Sequence, residues 1–237
     1  MSSETVSADE IARFDALAAE WWDPNGPMRP LHRMNPARID WIVSRIDRRF
    51  ADRSQIRVLD LGCGAGIASE ALARAGFDVL GMDAAAEAIE AGRMHAEGQG
   101  DLRLRYRVGL AEDLLAEGLR FDVITALEVI EHVPDPALFV RALRGLMAPS
   151  GLMFLSTLNR TPESFAAAKL GAEYLLRWLP VGTHDWRKFI TPTEMAGFLR
   201  DAGLFVADSA GLSVDARRGG WHTGRNLRVG YLVQAMG

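Results

Sequence analysis

The sequence predicts an α/β protein built on one doubly wound, mostly parallel sheet of seven strands, with an antiparallel last strand, helices on both faces and additional N-terminal helices. Three observations carry this expectation. Short apolar runs alternate with helical stretches after Ser54, a glycine-rich turn follows the first run, and the last two runs are joined by a loop without a crossover helix. The 237 residues suffice for one domain with a large core, and 49% hydrophobic with 24% charged residues is an ordinary globular balance.

From Asp9 to about Trp22, Ile11, Phe14, Leu17 and Ala18 recur at i, i+3, i+6 and i+7, which predicts a helix. The segment DPNGPMRPLHRMNP holds four prolines and a glycine and is expected to be an irregular crossing loop. A second helix then carries Ile39, Ile42, Val43 and Ile46 on one face, with Arg38, Arg45 and Arg48 elsewhere on its surface. Residues 1–53 are read as N-terminal helices with a covering loop, and 160–190 as an insertion within a single 1–237 domain.

The strands are expected at Arg57–Leu61, Asp78–Met82, Leu104–Val108, Phe121–Thr125, Leu152–Ser156, Leu204–Ser209 and Val229–Gln234. Helices fall between the first five, one of them over Ala85–Glu97. Another starts at Asp135, where Asp135 caps free amides and Pro136 takes the first helical position. In a right-handed doubly wound sheet a ligand sits beyond the carboxyl ends of the strands.

The turn VLDLGCGAG places Gly62, Gly64 and Gly66 where a chain passing close under a ligand cannot carry a Cβ. Such a turn also occurs in nicotinamide dehydrogenases. Two details separate the readings: Asp60, inside the strand end, would repel a pyrophosphate yet can pair with the ammonium of a methionine moiety, and the third glycine comes one position early for G-x-G-x-x-G. A cationic cofactor without phosphate, S-adenosylmethionine, is therefore favoured. Asp83 lies about twenty residues beyond the turn, where a carboxylate accepts ribose hydroxyls or caps the next helix. Glu112 and Asp113 are candidates for the adenine or for a solvated helix start, and Cys63 reads as a small loop residue.

LDLGCGAG, Asp83 and FDVITALEVIEHVPDP look like the class I methyltransferases. More specifically, WWDPNGPMRPLHRMNPARIDWI, EVIEHVPDP, STLNR, GAEYLLRWLP and GTHDWRKFI resemble, in order and nearly end to end, the ubiquinone biosynthesis O-methyltransferase family. The resemblance implies methylation of catechol-type polyprenylated intermediates at both O-methylation steps. It also implies cofactor contacts at Arg38, Gly62, Asp83 and Leu127, beside Asp60 and Gly64 from the turn itself. Other ubiquinone-biosynthesis proteins join the expected partners.

Glu128, Glu131 and His132 follow the fourth strand at i, i+3 and i+4, so one helical turn would bring them to one side. Two carboxylates and an imidazole can hold a divalent cation, and the resemblance supports Mg2+ there, although a hard ion seldom favours imidazole and the acids have cofactor or capping roles open to them. His132, Glu131 and His184 are the candidates for the base that takes a phenolic proton.

A formal net charge of -4 gives no field for a polyanion, so nucleic acid is not expected. The single cysteine fits a reducing cytoplasm, no signal peptide is expected, and no bilayer-spanning run of about 18 apolar residues occurs in the sequence. An apolar surface around Phe165, Leu170, Tyr174, Leu175 and Trp178, with Lys169, Arg177, Arg187 and Lys188, reads from periodicity alone as a lid or a helix packed on the domain, and the lipid-held substrate that the resemblance implies shifts the expectation to peripheral contact with anionic membrane lipids.

Overall fold

In the computed structural model, which describes residues 7–166, 186–215 and 220–237, the apolar runs assemble one sheet in the order β3-β2-β1-β4-β5-β8-β6-β7. Its strands are β1 Arg57–Leu61, β2 Asp78–Asp83, β3 Leu104–Val108, β4 Phe121–Leu127, β5 Met147–Leu158, β6 Phe205–Asp215, β7 Gly220–Gly224 and β8 Gly230–Met236. The first five pair in parallel, and β8 runs antiparallel to both β5 and β6.

Along β1, successive residues go to opposite faces, and both faces are covered, so Val58, Leu59 and Leu61 are all buried and Asp60 between them is buried as well. Val58 joins Ile42, Ile46, Leu72 and Phe154 on one side, while Leu59 joins Leu114, Phe139, Leu143 and Leu199 on the other. The helices that supply these layers are α2 Arg29–Arg49 and α3 Ile67–Arg74 on the first face and α5 Ala111–Ala116, α6 Pro136–Leu146 and α7 Pro192–Asp201 on the second. The chain steps outward from β1 through β2 to β3, then returns to lay β4 and β5 on the other side. That reversal opens a crevice beyond the carboxyl ends of β1 and β4.

Eight strands replace the expected seven. The segment read as a loop from Gly211 to Arg228 extends β6 to Asp215 and adds β7, paired antiparallel with Val214 opposite Trp221. The sequence GWHTG, with a glycine at each end and no alternation, carries no strand signal of its own, and pairing to β6 decides its conformation.

Two helices also differ from expectation. Helix α1, Ala8–Asp15, is capped by the Ser7 hydroxyl and stops early, a short 3-10 turn at Ala18–Glu20 following it. The two tryptophans next in line take separate tertiary partners, which a continuous helix would not reach. Helix α2 begins inside the proline-rich segment. Pro30 occupies its first turn, where no amide is needed, and Pro36 is tolerated inside because Ile39, Trp41, Ile42 and Ile46 are buried beyond it. The cap at Asp135 forms as expected, accepting from the Leu138 amide at 2.9 Å. No helix among the described residues is long and apolar enough to cross a membrane.

Candidate active site

A cavity of about 810 Å³ opens at the sheet reversal, walled by the turn after β1, the loop after β4, α1 and the start of α2, and β6–β7. Gly62 and Gly64 take φ of +72° and +54°, and both are crowded from the cavity side. A Cβ at Gly62 would lie 2.5 Å from a Val129 methyl, and one at Gly64 would lie 2.1 Å from the Trp21 ring. The turn is thus fixed by contacts in front of it as much as by its own backbone.

The Gly64 amide donates to one oxygen of Asp83 at 2.7 Å, and the other oxygen accepts from the Ala85 amide at 2.9 Å. Asp83 is not the cap of α4, Ala86–Glu97, since Ala85 holds that position. It sits on the cavity wall with spare lone pairs, its pKa raised by burial against the opposing pull of these amides. Asp60 is buried deeper. It accepts from the hydroxyls of Ser69 and Thr125, both at 2.6 Å, and desolvation raises its pKa in spite of them.

Arg38, expected on the surface of its helix, is only 3% exposed. Its Nη2 donates to Asn35 Oδ1 at 3.3 Å, Nη1 lies 3.9 Å from Glu128 Oε1, and Nε has no partner. Burial lowers its pKa while Glu128 and Asp60 oppose the shift, and a guanidinium stays protonated through such changes. A buried cation with an unused donor, close to a buried carboxylate, fits the carboxylate and ammonium of an amino acid moiety. Leu127 and the stretch Gly109–Ala111 complete this part of the wall. Asp113 does not reach it, because its carboxylate accepts from the Leu110 amide at 2.8 Å and caps α5; Glu112 is not part of the wall either.

The loop after β4 does not form the helical turn that its spacing suggested. Glu128 has φ of +58° and stands outside a single 3-10 turn at Ile130–His132. All three polar side chains line the cavity, yet each is committed differently. Glu128 Oε1 accepts from the Ser156 hydroxyl at 2.6 Å. His132 Nδ1 lies 3.2 Å from Glu10 Oε2 of α1, with the Phe14 ring edge-on to the imidazole. Glu131 is buried and its Oε2 has no partner. Among the described residues no group of three His, Cys, Asp or Glu side chains is placed to hold a metal ion. Glu128, Glu131 and His132 therefore do not form a ready-made triplet in this arrangement.

These commitments set the protonation of the loop. Glu131 is pushed up to about 7, first by burial and then by the Glu128 carboxylate, with His132 opposing. Burial alone would lower the His132 pKa, but contact with Glu10 and the charge of Glu131 outweigh it and raise it. Glu10 is held at about 2, chiefly by His132. Glu10 carries no motif, and Trp21 and Asn35 fall within the segment WWDPNGPMRPLHRMNPARIDWI that carries the family resemblance but have no role assigned by the sequence. His184 lies outside the described residues.

A buried guanidinium near a buried carboxylate, a second carboxylate at the end of β2 and a crowded glycine turn at the carboxyl edge of the sheet are what an S-adenosylmethionine-dependent methyltransferase requires. The comparisons agree at each level. Residues 30–208 match a family model described as a methyltransferase domain. The magnesium protoporphyrin IX methyltransferase of Synechocystis, solved with bound S-adenosylmethionine, has the same fold, with a TM-score of 0.65 over 98% of both chains at 16% identity. The ubiquinone biosynthesis O-methyltransferase of Cereibacter sphaeroides is 47% identical over 99% of this chain and 98% of its own, and that of Azorhizobium caulinodans is 46% identical over 98% and 94%. The chain belongs to the ubiquinone biosynthesis O-methyltransferase family, which removes the dehydrogenase reading of the glycine turn.

Proposed function

We propose that the cavity binds S-adenosylmethionine beside a polyprenylated catechol, and that Glu131 takes the proton from the hydroxyl being methylated, at both O-methylation steps of ubiquinone biosynthesis. The observation that carries this reading is Glu131 itself. A carboxyl buried in the wall, with one oxygen unused and a pKa near 7, is matched to a phenolic proton at neutral pH far better than an ordinary surface glutamate. His132 is the weaker of the two catalytic candidates, since Glu10 favours its protonated form. In this reading it orients the loop and moderates the Glu131 pKa.

S-adenosylmethionine, when bound, supplies the methyl group, its carbon–sulfur bond breaking as the carbon–oxygen bond forms. Arg38 holds the cofactor carboxylate, Asp60 its ammonium and Asp83 the ribose hydroxyls. Gly62 and Gly64 let the backbone approach the cofactor closely, and Leu127 packs against it. The chain's contribution is largely positioning, which alone accounts for several powers of ten in rate.

A magnesium ion at Glu128, Glu131 and His132 is the second reading of the acidic loop. The residues present do not fit it in this arrangement, and no step is derived through it. Labelled S-adenosylmethionine offered with catechols that do or do not carry a prenyl tail, with and without chelator, tests both readings. The label is expected on an oxygen of the tailed catechols in either condition. Preference for tail-less phenols would replace the substrate assignment, and loss of transfer in chelator with recovery on adding Mg2+ would restore the metal.

A substrate held in lipid calls for access from a membrane, so we propose peripheral attachment to the cytoplasmic face through 160–190, with the whole chain serving one catalytic domain. Phe165, 39% exposed, supports this contact, while 167–185 lie outside the described residues. Wild-type protein is expected to float with anionic vesicles and a Leu175→Asp, Trp178→Asp variant to stay behind. Equal behaviour of the two would overturn the attachment.

A further inference from the structure

One stretch of the cavity wall carries no charge. Helix α2 contributes Pro30, Leu31 and Met34 from its first turns, and the β6–β7 hairpin contributes Leu212, Val214 and Trp221. Leu212 and Val214 are two residues apart and therefore share a face of β6. Leu212 is 2% exposed and Val214 54%, so this face leads from the interior to solvent within one step of the strand pleat. The register sets Trp221 opposite Val214, on the same face, where it widens the apolar wall.

Such an arm suits neither end of the cofactor nor the catechol hydroxyls, each of which would lose its hydrogen bonds to water against it. It is continuous with the cavity that holds Arg38 and Glu131, and it is open at Val214, so a chain too long for the cavity can continue outward. We infer that this arm seats the first isoprene units of the substrate tail and that Val214 and Trp221 set the enzyme's preference for tailed over tail-less catechols. The inference rests on the substrate reading given above. It adds that the preference rises with the first units and then levels off, because units beyond Val214 leave the wall.

The test is kcat/KM for one catechol ring bearing no tail, one isoprene unit or several. For the wild type the ratio of tailed to tail-less values is expected to climb and reach a plateau. Val214→Asp and Trp221→Ala should each lower that ratio at least about tenfold, chiefly through KM, since a few buried methylenes are worth that much. Val206→Asp places the same charge on β6 at a residue 38% exposed and outside the cavity, and should keep the wild-type ratio. Trp221 also packs on the core, so Val214→Asp, at the exposed position, is the decisive variant if Trp221→Ala fails to fold. An unchanged ratio in Val214→Asp, or an equal fall in Val206→Asp, overturns the assignment of the arm. A wild-type ratio near one overturns the substrate reading beneath it, and the arm with it.

Discussion

Two glutamates in the cavity wall titrate in opposite directions because of what each faces. Glu131 meets apolar surroundings and a second carboxylate, so its neutral form is favoured; Glu10 meets His132, Arg13 and Lys188, so its charged form is. The consequences for stability are opposite as well. The folded pKa of Glu131 lies above its ordinary value of 4.5, so its contribution is present below about 4.5 and is lost as pH rises through about 7. The folded pKa of Glu10 lies below 4.5, so its contribution is present above that value and is lost as pH falls toward 2. Arg38 and Asp83 have a simpler part to play. Replacing either with alanine removes a charged hydrogen-bonding group and should weaken S-adenosylmethionine by about 1 to 3 kcal/mol, roughly five- to 150-fold in Kd. Calorimetry on folded variants measures this, and an unchanged Kd would take that residue out of the site.

At the scale of elements, α1 and the turns after it act as a strap across the glycine turn. Glu10 reaches His132, the Asp15 carboxylate accepts from the Glu87 amide at 2.9 Å, and Trp22 donates to the Ala65 carbonyl at 3.0 Å. The Trp22 ring also stacks on His95 at 3.5 Å, while His95 meets the buried Glu70. Glu10→Gln should free the strap at its catalytic end and lower the His132 pKa, which NMR titration of the imidazole reads directly; a pKa equal to the wild type's would show that Glu10 does not govern it. A cap lies outside this coupling. Asp135→Ala should cost about 1 kcal/mol, or a Tm loss of roughly 2–4 °C, with cofactor affinity unchanged, and a loss of affinity in that variant would contradict the separation. Elements with a periodic signal were legible in advance, as Ile39, Ile42 and Ile46 show. Those settled by tertiary contacts were not: Trp21 and Trp22 end α1 early, a buried face carries α2 through Pro36, and β7 exists only because β6 offers it an edge.

For the whole molecule, the order of strands put Gly62, Asp83 and Glu128 on one sheet edge, and that much could be read from the alternation of apolar runs. The motif residues of the cofactor end were legible for the same reason, since a turn without Cβ atoms and an acid at a strand end have few other uses together. The state of the acidic loop was not legible. Spacing placed Glu128, Glu131 and His132 on one helical turn, but the left-handed backbone at Glu128 and the arrival of Glu10 from α1, more than a hundred residues earlier in the chain, separate them. That separation turns a metal-like triplet into one poised carboxyl beside an ion pair. The most direct test that this carboxyl accepts the proton of the transfer is kcat/KM against pH, from about pH 5 to about pH 9, for the wild type and Glu131→Gln. The wild-type rate should rise through a pKa near 7, and the variant should lose both that limb and roughly 10²- to 10⁴-fold in rate while still binding cofactor. A Glu131→Gln enzyme with the wild-type rate and the same limb would contradict the account.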